Sequence, residues 1–113
     1  MLRRISEKPD CLNRLADNGF FFEVTRNGTV VASVGVEIIN DTGHMHMIVH
    51  KTTHNILKTI IGIWDQLVSF CKDNGCSRLV ASSSTKEPEK FRKFINCFGF
   101  TDMQEIYVAT QEI

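Results

Sequence analysis

Residues 43–75 constrain the fold of this chain more than any other stretch. An alternating strand at residues 44–49 leads through a threonine-rich turn, residues 51–55, into a long amphipathic helix. A helix that starts at the end of a strand presents unpaired backbone N–H groups and the positive end of its dipole, which makes this turn a natural anion site. The alternative is an ordinary helix start, in which Thr52 or Thr53 only caps the backbone.

The composition is that of one globular domain. The chain of 113 residues is long enough for one core and too short for two, so we expect a single domain over residues 1–113. Thirteen basic and thirteen acidic side chains cancel, which leaves no electrostatic footprint for nucleic acid or an anionic membrane. No apolar run could span a membrane and no signal-peptide pattern is present, so we expect a cytoplasmic protein. Without CxxC spacing, buried and reduced thiols are expected at Cys11, Cys71, Cys76 and Cys97.

Apolar periodicity predicts the order of the secondary-structure elements. Asn27-Gly28 between two apolar runs predicts a β-hairpin, because both residues tolerate positive φ. The order is β-α-β-β-β-α-β-α-β, which indicates an α/β (α+β) fold with a mixed, mostly antiparallel, twisted central sheet and helices on its faces. Strands are predicted at residues 2–6, 20–25, 29–39, 44–49, 78–81 and 103–110, and helices at 9–17, from about 56 to Asn74-Gly75, and from Pro88 to Gly99.

Two apolar patterns predict which side chains form the core. The long helix should pack on a sheet that includes Val34 and Met47. Its apolar stripe comprises Ile56, Leu57, Ile60, Ile61, Trp64, Leu67, Val68 and Cys71. Alternation in the strand at 29–39 places on one face Val30, Ala32, Val34, Val36 and Ile38, and on the other Val31, Ser33, Gly35, Glu37 and Ile39.

Two segments resemble motifs of a known family. Residues 94–100, Phe-Ile-Asn-Cys-Phe-Gly-Phe, look like the F-Y-x-x-L-G-F motif of the Gcn5-related N-acetyltransferases (GNAT), and residues 48–50 lie where that family has V-x-P. The order of elements is similar as well. The resemblance implies a GNAT-like domain, acetyl-CoA as cofactor, and transfer of the acetyl group to an amine. The cofactor-binding residues that it implies are Ile48, Val49, Lys51, Thr52, Thr53, His54 and Asn55.

Three departures from the family motifs bear on catalysis. Residues 53–58 align with the family's phosphate loop but contain no glycine, Ile95 stands where a proton-donating tyrosine is common, and residues 44–49 lack the usual glutamate base. These departures favour an acetyltransferase-like protein that has lost both catalysis and acetyl-CoA. Such a protein is similar to small acetyltransferase-like bacteriophage proteins, and would act in the host cytoplasm or the virion as a structural or interaction module. Its partners would be other protein chains, a second copy included. The alternative is an active acetyl-CoA-dependent N-acetyltransferase.

Candidate catalytic and contact residues are few. Glu37 or His46 could act as a base, although a surface glutamate on an edge strand is the commoner explanation of Glu37, and a solvated polar strand face is the alternative for His46. His44 and His46 share a strand face but fall short of the three or four ligands of a usual metal site, so we predict no metal. Residues 20–22 are three consecutive phenylalanines, and alternation should turn at least one of them away from the core, either as a partner surface or as a second layer of packing.

Overall fold

The fold is a seven-stranded mixed sheet with α1 packed on one face. It is seen in a computed structural model that describes residues 1–13, 15–50, 56–82, 102–104 and 108–113. The strands lie side by side in the order β1-β2-β3-β4-β5-β7-β6. The elements are β1 (Leu2–Ile5), a 3₁₀ helix (Asp10–Leu12), β2 (Phe20–Arg26), β3 (Thr29–Ile39), β4 (Thr42–Val49), α1 (Ile56–Asp73), β5 (Arg78–Ser82), β6 (Asp102–Gln104) and β7 (Val108–Glu112).

Tight turns join β2, β3 and β4 into an antiparallel meander. The predicted hairpin at Asn27-Gly28 is confirmed: φ is 51° at Asn27 and 78° at Gly28, the left-handed values that such a turn requires. Asn40 also has a positive φ of 56°, at the turn between β3 and β4. The next residue, Asp41, accepts a hydrogen bond from Ser77 Oγ at 2.9 Å, which ties this turn to the start of β5. That hydroxyl is the first cause of a pKa of Asp41 below its usual value.

The helix α1 connects β4 to β5, which run parallel. A parallel neighbour requires a crossover connection, and α1 supplies it on the sheet face that carries Val34, Val36 and Met45. Its apolar stripe is buried as predicted at Ile60, Trp64, Leu67 and Cys71, with Met47 partly buried against the same core. The predicted stop at Asn74-Gly75 is also confirmed, since Gly75 has a φ of 86°. The side chains of Ile56 and Leu57 lie outside the described residues.

Two predictions about which side chains form the core were wrong in part. Ile61 is 50% exposed, whereas Ile63 is only 3% exposed and belongs to the core, so the buried stripe is turned slightly around the helix axis. In β3 the pairing shifts from Val24↔Ala32 to Thr25↔Val30, which leaves Val31 as a β-bulge. The bulge brings Val31 into the core with Ala32, and turns Val30 outward. A bulge inserts one residue, so alternation counted across it assigns the wrong face.

The opposite face of the sheet is covered by the 3₁₀ helix and the chain that follows it. We predicted a helix at residues 9–17, but the backbone forms separate turns, in which Leu12 N–H donates to Pro9, Leu15 N–H to Leu12 and Gly19 N–H to Ala16. Asn13, Asp17 and Asn18 hydrogen-bond readily to nearby backbone and so favour turns over a continuous helix. A Cβ atom built on Gly35 would lie 2.1 Å from Leu15 Cδ1 and 3.4 Å from Leu12 Cδ1. The missing side chain of Gly35 is therefore the space that the two leucines fill.

The C-terminal part of the chain also differs from its prediction. In place of one strand at 103–110, β6 and β7 pair antiparallel with Met103 opposite Ala109. The connecting Glu105-Ile106-Tyr107 contains none of the residues that usually mark a turn, so alternation alone could not reveal the reversal. The predicted helix from Pro88 to Gly99 lies outside the described residues.

The three consecutive phenylalanines are core residues and do not form an exposed surface. Phe21 and Phe22 are 2% and 5% exposed, and Phe20 is half-buried, so an exposed phenylalanine is excluded and the alternative, a second layer of packing, is confirmed. The alternation itself is confirmed. Phe20 and Phe22 meet Phe70 of α1 edge to face, with ring centroids at 4.9 and 5.2 Å, while Phe21 lies on the opposite face near Gly35. The Arg4 guanidinium covers the outer side of Phe20, 4.9 Å from its centroid.

Within the described residues, no helix combines the length and the apolar character needed to cross a membrane.

The burial of Trp64 gives a test of the core. Trp64→Ala should lower the free energy of unfolding by about 3–5 kcal/mol, because it leaves a large cavity between α1 and the sheet. Ile61→Ala is the matched control one turn away, and its half-exposed side chain should cost below about 1 kcal/mol. Urea unfolding followed by circular dichroism measures both. Equal losses in the two variants would contradict this packing.

Candidate functional site

The strands β4 and β5 form a fork at the centre of the sheet. They pair from Thr42↔Arg78 to His46↔Ser82, where β5 ends, while β4 continues to Val49. Past His46, β4 is paired with β3 on one side, and the described residues place no strand on the other. The helix α1 begins shortly after, at Ile56. An open strand edge can pair with an extended polar ligand, and a nearby helix start can bind an anion, so the fork has the features of a binding site.

Polar residues of β3 and β4 lie together on the face opposite α1. The register places Glu37 opposite His44 and Gly35 opposite His46, and directly opposed residues of antiparallel strands share a face. Glu37, His44 and His46 are each half-buried. The structure therefore brings both catalytic candidates, Glu37 and His46, to one face, with His46 at the last β4–β5 pair before the fork. A catalytic role for Glu37 or His46 remains a prediction.

The predicted cofactor-binding residues fall partly within the described chain. Ile48 is half-buried and Val49 is 41% exposed, and both belong to the end of β4 beyond the fork. Lys51, Thr52, Thr53, His54 and Asn55 lie outside the described residues. Lys58, in the first turn of α1, is exposed, and this turn contains no acidic side chain. The start of the helix is therefore electropositive from both its dipole and this lysine.

A second polar cluster, which the sequence did not reveal, lies at the end of β4. His50 Nε2 is 2.7 Å from Ser33 Oγ and 3.9 Å from Cys11 Sγ. Cys11 was predicted to be buried but is exposed, while Ser33 is a buried polar residue. Cys11 and His50 are 39 positions apart, and no spacing rule connects them. Only the packing of the 3₁₀ helix across β3 and β4 brings them together.

Two further thiols are buried near the start of β4. Cys71 and Cys76 are free, and a Cβ atom on Gly43 would lie 3.1 Å and 3.4 Å from their sulfur atoms. Burial raises the pKa of the Cys71 thiol to about 12, with Cys76 as a secondary cause. Burial also raises the pKa of Cys76. These thiols are packing groups, as the sequence predicted. Within the described residues, no group of three or more His, Cys, Asp or Glu side chains could hold a metal ion.

Solved structures share this arrangement of strands and helix. An acetyltransferase of the GNAT family from Elizabethkingia anophelis with acetyl-CoA bound superposes with a TM-score of 0.74, at 10% identity, over 100% of this chain and 97% of its own. A putative N-acetyltransferase from E. coli bound to coenzyme A gives 0.67 at 15% identity, over 100% and 98%. The chain has the GNAT fold.

The likeness extends to longer GNAT proteins as well. The GNAT domain of S. lividans PAT gives a TM-score of 0.65 at 13% identity, over 85% of this chain. The chain spans 61% of the length of that structure. A comparison of the sequence with protein-family models found no match, and neither did one with curated proteins. At these identities the likeness shows the fold alone.

The contact between Gly35 and the leucines tests how the polar face is covered. Gly35→Ala should cost about 1–3 kcal/mol of unfolding free energy, because the new methyl group displaces Leu15 from the sheet. Gly62→Ala is the matched control, since a Cβ on Gly62 meets nothing within 4 Å. It should stabilise α1 by about 0.5–1 kcal/mol. Chemical denaturation measures both, and a neutral or stabilising Gly35→Ala would show that the leucines do not pack there.

Proposed function

We propose that the domain binds an acyl-CoA thioester at the fork, with the pantetheine arm along β4 beyond His46 and the phosphates at the start of α1. The observation that carries this proposal is the end of β4–β5 pairing at His46↔Ser82 while β4 runs on to Val49. This observation favours the hypothesis that the domain binds acetyl-CoA. The absence of glycine in the turn had favoured the opposite hypothesis, that binding has been lost.

The chemistry of the ligand matches the two parts of the fork. The pantetheine arm contains amide groups that can hydrogen-bond to an open strand edge as another strand would. Phosphates suit a helix start, where backbone N–H groups and the dipole favour negative charge. Lys58 adds a positive charge in that first turn. The two neighbours with coenzyme A or acetyl-CoA bound support the choice of ligand.

We further propose that the domain binds this ligand without efficient acyl transfer and acts as an interaction module. Residues 44–49 contain no carboxylate, and Ile95 cannot donate a proton to a departing thiolate. Binding of the domain to other protein chains, for example in a bacteriophage particle, remains a prediction.

The second candidate function is an active N-acetyltransferase. The placement of His46 at the fork favours it, because an imidazole there could take a proton from an amine beside the thioester. Glu37 lies on the same face, opposite His44.

Titration with acetyl-CoA tests binding. At about 100 times the dissociation constant, the ligand should add about 2.7 kcal/mol to the free energy of unfolding, seen as a saturable rise in melting temperature. Lys58→Glu should weaken binding by about fivefold. A glutamate near a helix start stabilises the helix, so reduced binding could not be attributed to unfolding. Lys72→Glu, in the last turn of α1, makes the same charge reversal far from the proposed ligand, and this variant should bind normally. No saturable shift in the unmodified protein would refute the proposal.

Release of free coenzyme A in the presence of amines tests catalysis. With peptide N-termini, lysine and polyamines as acceptors, we expect no turnover above spontaneous hydrolysis of acetyl-CoA. If an amine does accelerate release, His46→Gln should reduce the rate by about 10²–10⁴-fold, as expected for the loss of a general base. That pair of results would establish the transferase and reject the non-catalytic module.

A further inference from the structure

The cluster of Cys11, Ser33 and His50 lies apart from the catalytic candidates and has a chemistry of its own. We propose that Cys11 and His50 form a reactive thiol–imidazole pair, and that Cys11 is a covalent modification site for low-molecular-weight disulfides. The proposal does not depend on the binding of acyl-CoA.

The imidazole of His50 is held in place from two sides. Its backbone N–H donates to the carbonyl of the bulge residue, Val31, at 2.8 Å, and its Nε2 is 2.7 Å from the hydroxyl of Ser33. Ser33 is only 4% exposed, so its hydroxyl has a fixed position. When Nε2 is protonated, its N–H can be shared between the hydroxyl of Ser33 and the sulfur atom of Cys11. Ser33 is the positioning residue of the pair.

The thiol is exposed but anchored. Cys11 belongs to the 3₁₀ helix, and the next residue, Leu12, is 1% exposed beneath it. Because Leu12 packs close to Gly35, Cys11 Sγ is kept 3.9 Å from the ring nitrogen of His50. Solvent reaches both groups, so a small disulfide can approach the sulfur atom. Cys71 and Cys76 differ in this respect, being only 0% and 7% exposed.

The proposed step is a thiol–disulfide exchange. The Cys11 thiol loses its proton to water, the protonated imidazole of His50 stabilises the thiolate beside it, and the thiolate attacks one sulfur atom of the reagent. The S–S bond of the reagent breaks as the bond between Cys11 Sγ and that sulfur forms. The leaving thiolate takes up a proton from water and departs as a thiol. Cys11 is oxidised by this step and the departing half of the reagent is reduced.

Alkylation kinetics on the full chain test the pair. At neutral pH, iodoacetamide should modify Cys11 about tenfold faster than it modifies reduced glutathione, because a free thiol is only a few per cent thiolate under these conditions. Peptide mass spectrometry assigns the site, and Cys11→Ser should remove this fast phase. Oxidised glutathione should give a mixed disulfide at Cys11 that dithiothreitol reverses.

Variants separate the pair from simple exposure of the thiol. His50→Gln should bring the Cys11 rate down to that of glutathione, and Ser33→Ala should lower it by about threefold through a less well placed imidazole. Ser77→Ala is the control: it removes a hydroxyl that bonds Asp41, at the opposite end of β4, and should leave the rate unchanged. The proposal is overturned if Cys11 of the unmodified protein reacts no faster than glutathione, or if folded His50→Gln reacts as fast as the unmodified protein. The first comparison needs no variant and decides the matter if one fails to fold.

Discussion

The parallel pairing of β4 with β5 is the constraint on which the rest of this structure depends. All other strand pairs in the described sheet are antiparallel. A parallel neighbour cannot be reached by a tight turn, so the chain has to cross over the sheet, and α1 is that crossover. Within the described residues, the helix covers one face and the 3₁₀ helix lies on the other. Because β5 is shorter than β4, the same pairing also creates the fork.

Two glycines allow the sheet to be covered closely on both faces near this pair. Gly43 of β4 leaves room for the sulfur atoms of Cys71 and Cys76 on the α1 side, and Gly35 of β3 leaves room for Leu12 and Leu15 on the other. A larger residue at either position would displace the side chains that pack on that face of the sheet. Glycine has a low propensity for β-strands. At these two positions the close packing that glycine allows outweighs that low propensity.

The parts of the fold that were predicted correctly are those set by residues close together in the sequence. The apolar period of α1 and the alternation of the phenylalanines are repeating patterns that the sequence shows directly. The turn at Asn27-Gly28 is marked by two residues that tolerate positive φ. A single inserted residue, Val31, was enough to reverse the faces assigned before Ala32. The site was less predictable. His46 and Glu37 were found as polar residues of strands, but the pairing of Cys11 with His50 depends on which element lies across the sheet, and this is a tertiary property.

The same geometry bears on where a partner chain could bind. Burial of Phe21 and Phe22 removes the phenylalanine surface from consideration. At the outer edge, β1 presents only a short strand, and its Arg3 and Arg4 are engaged with Glu23 and with Phe20. Short, charged edge strands discourage pairing with another chain. Among the described residues, β4 has no strand partner on its β5 side beyond His46, and this stretch lies inside the sheet, where the ligand proposed above would be held between neighbouring elements. We therefore propose the end of β4 as the recognition site of this fold, and the residue that follows it, His50, lies 3.9 Å from the thiol of Cys11.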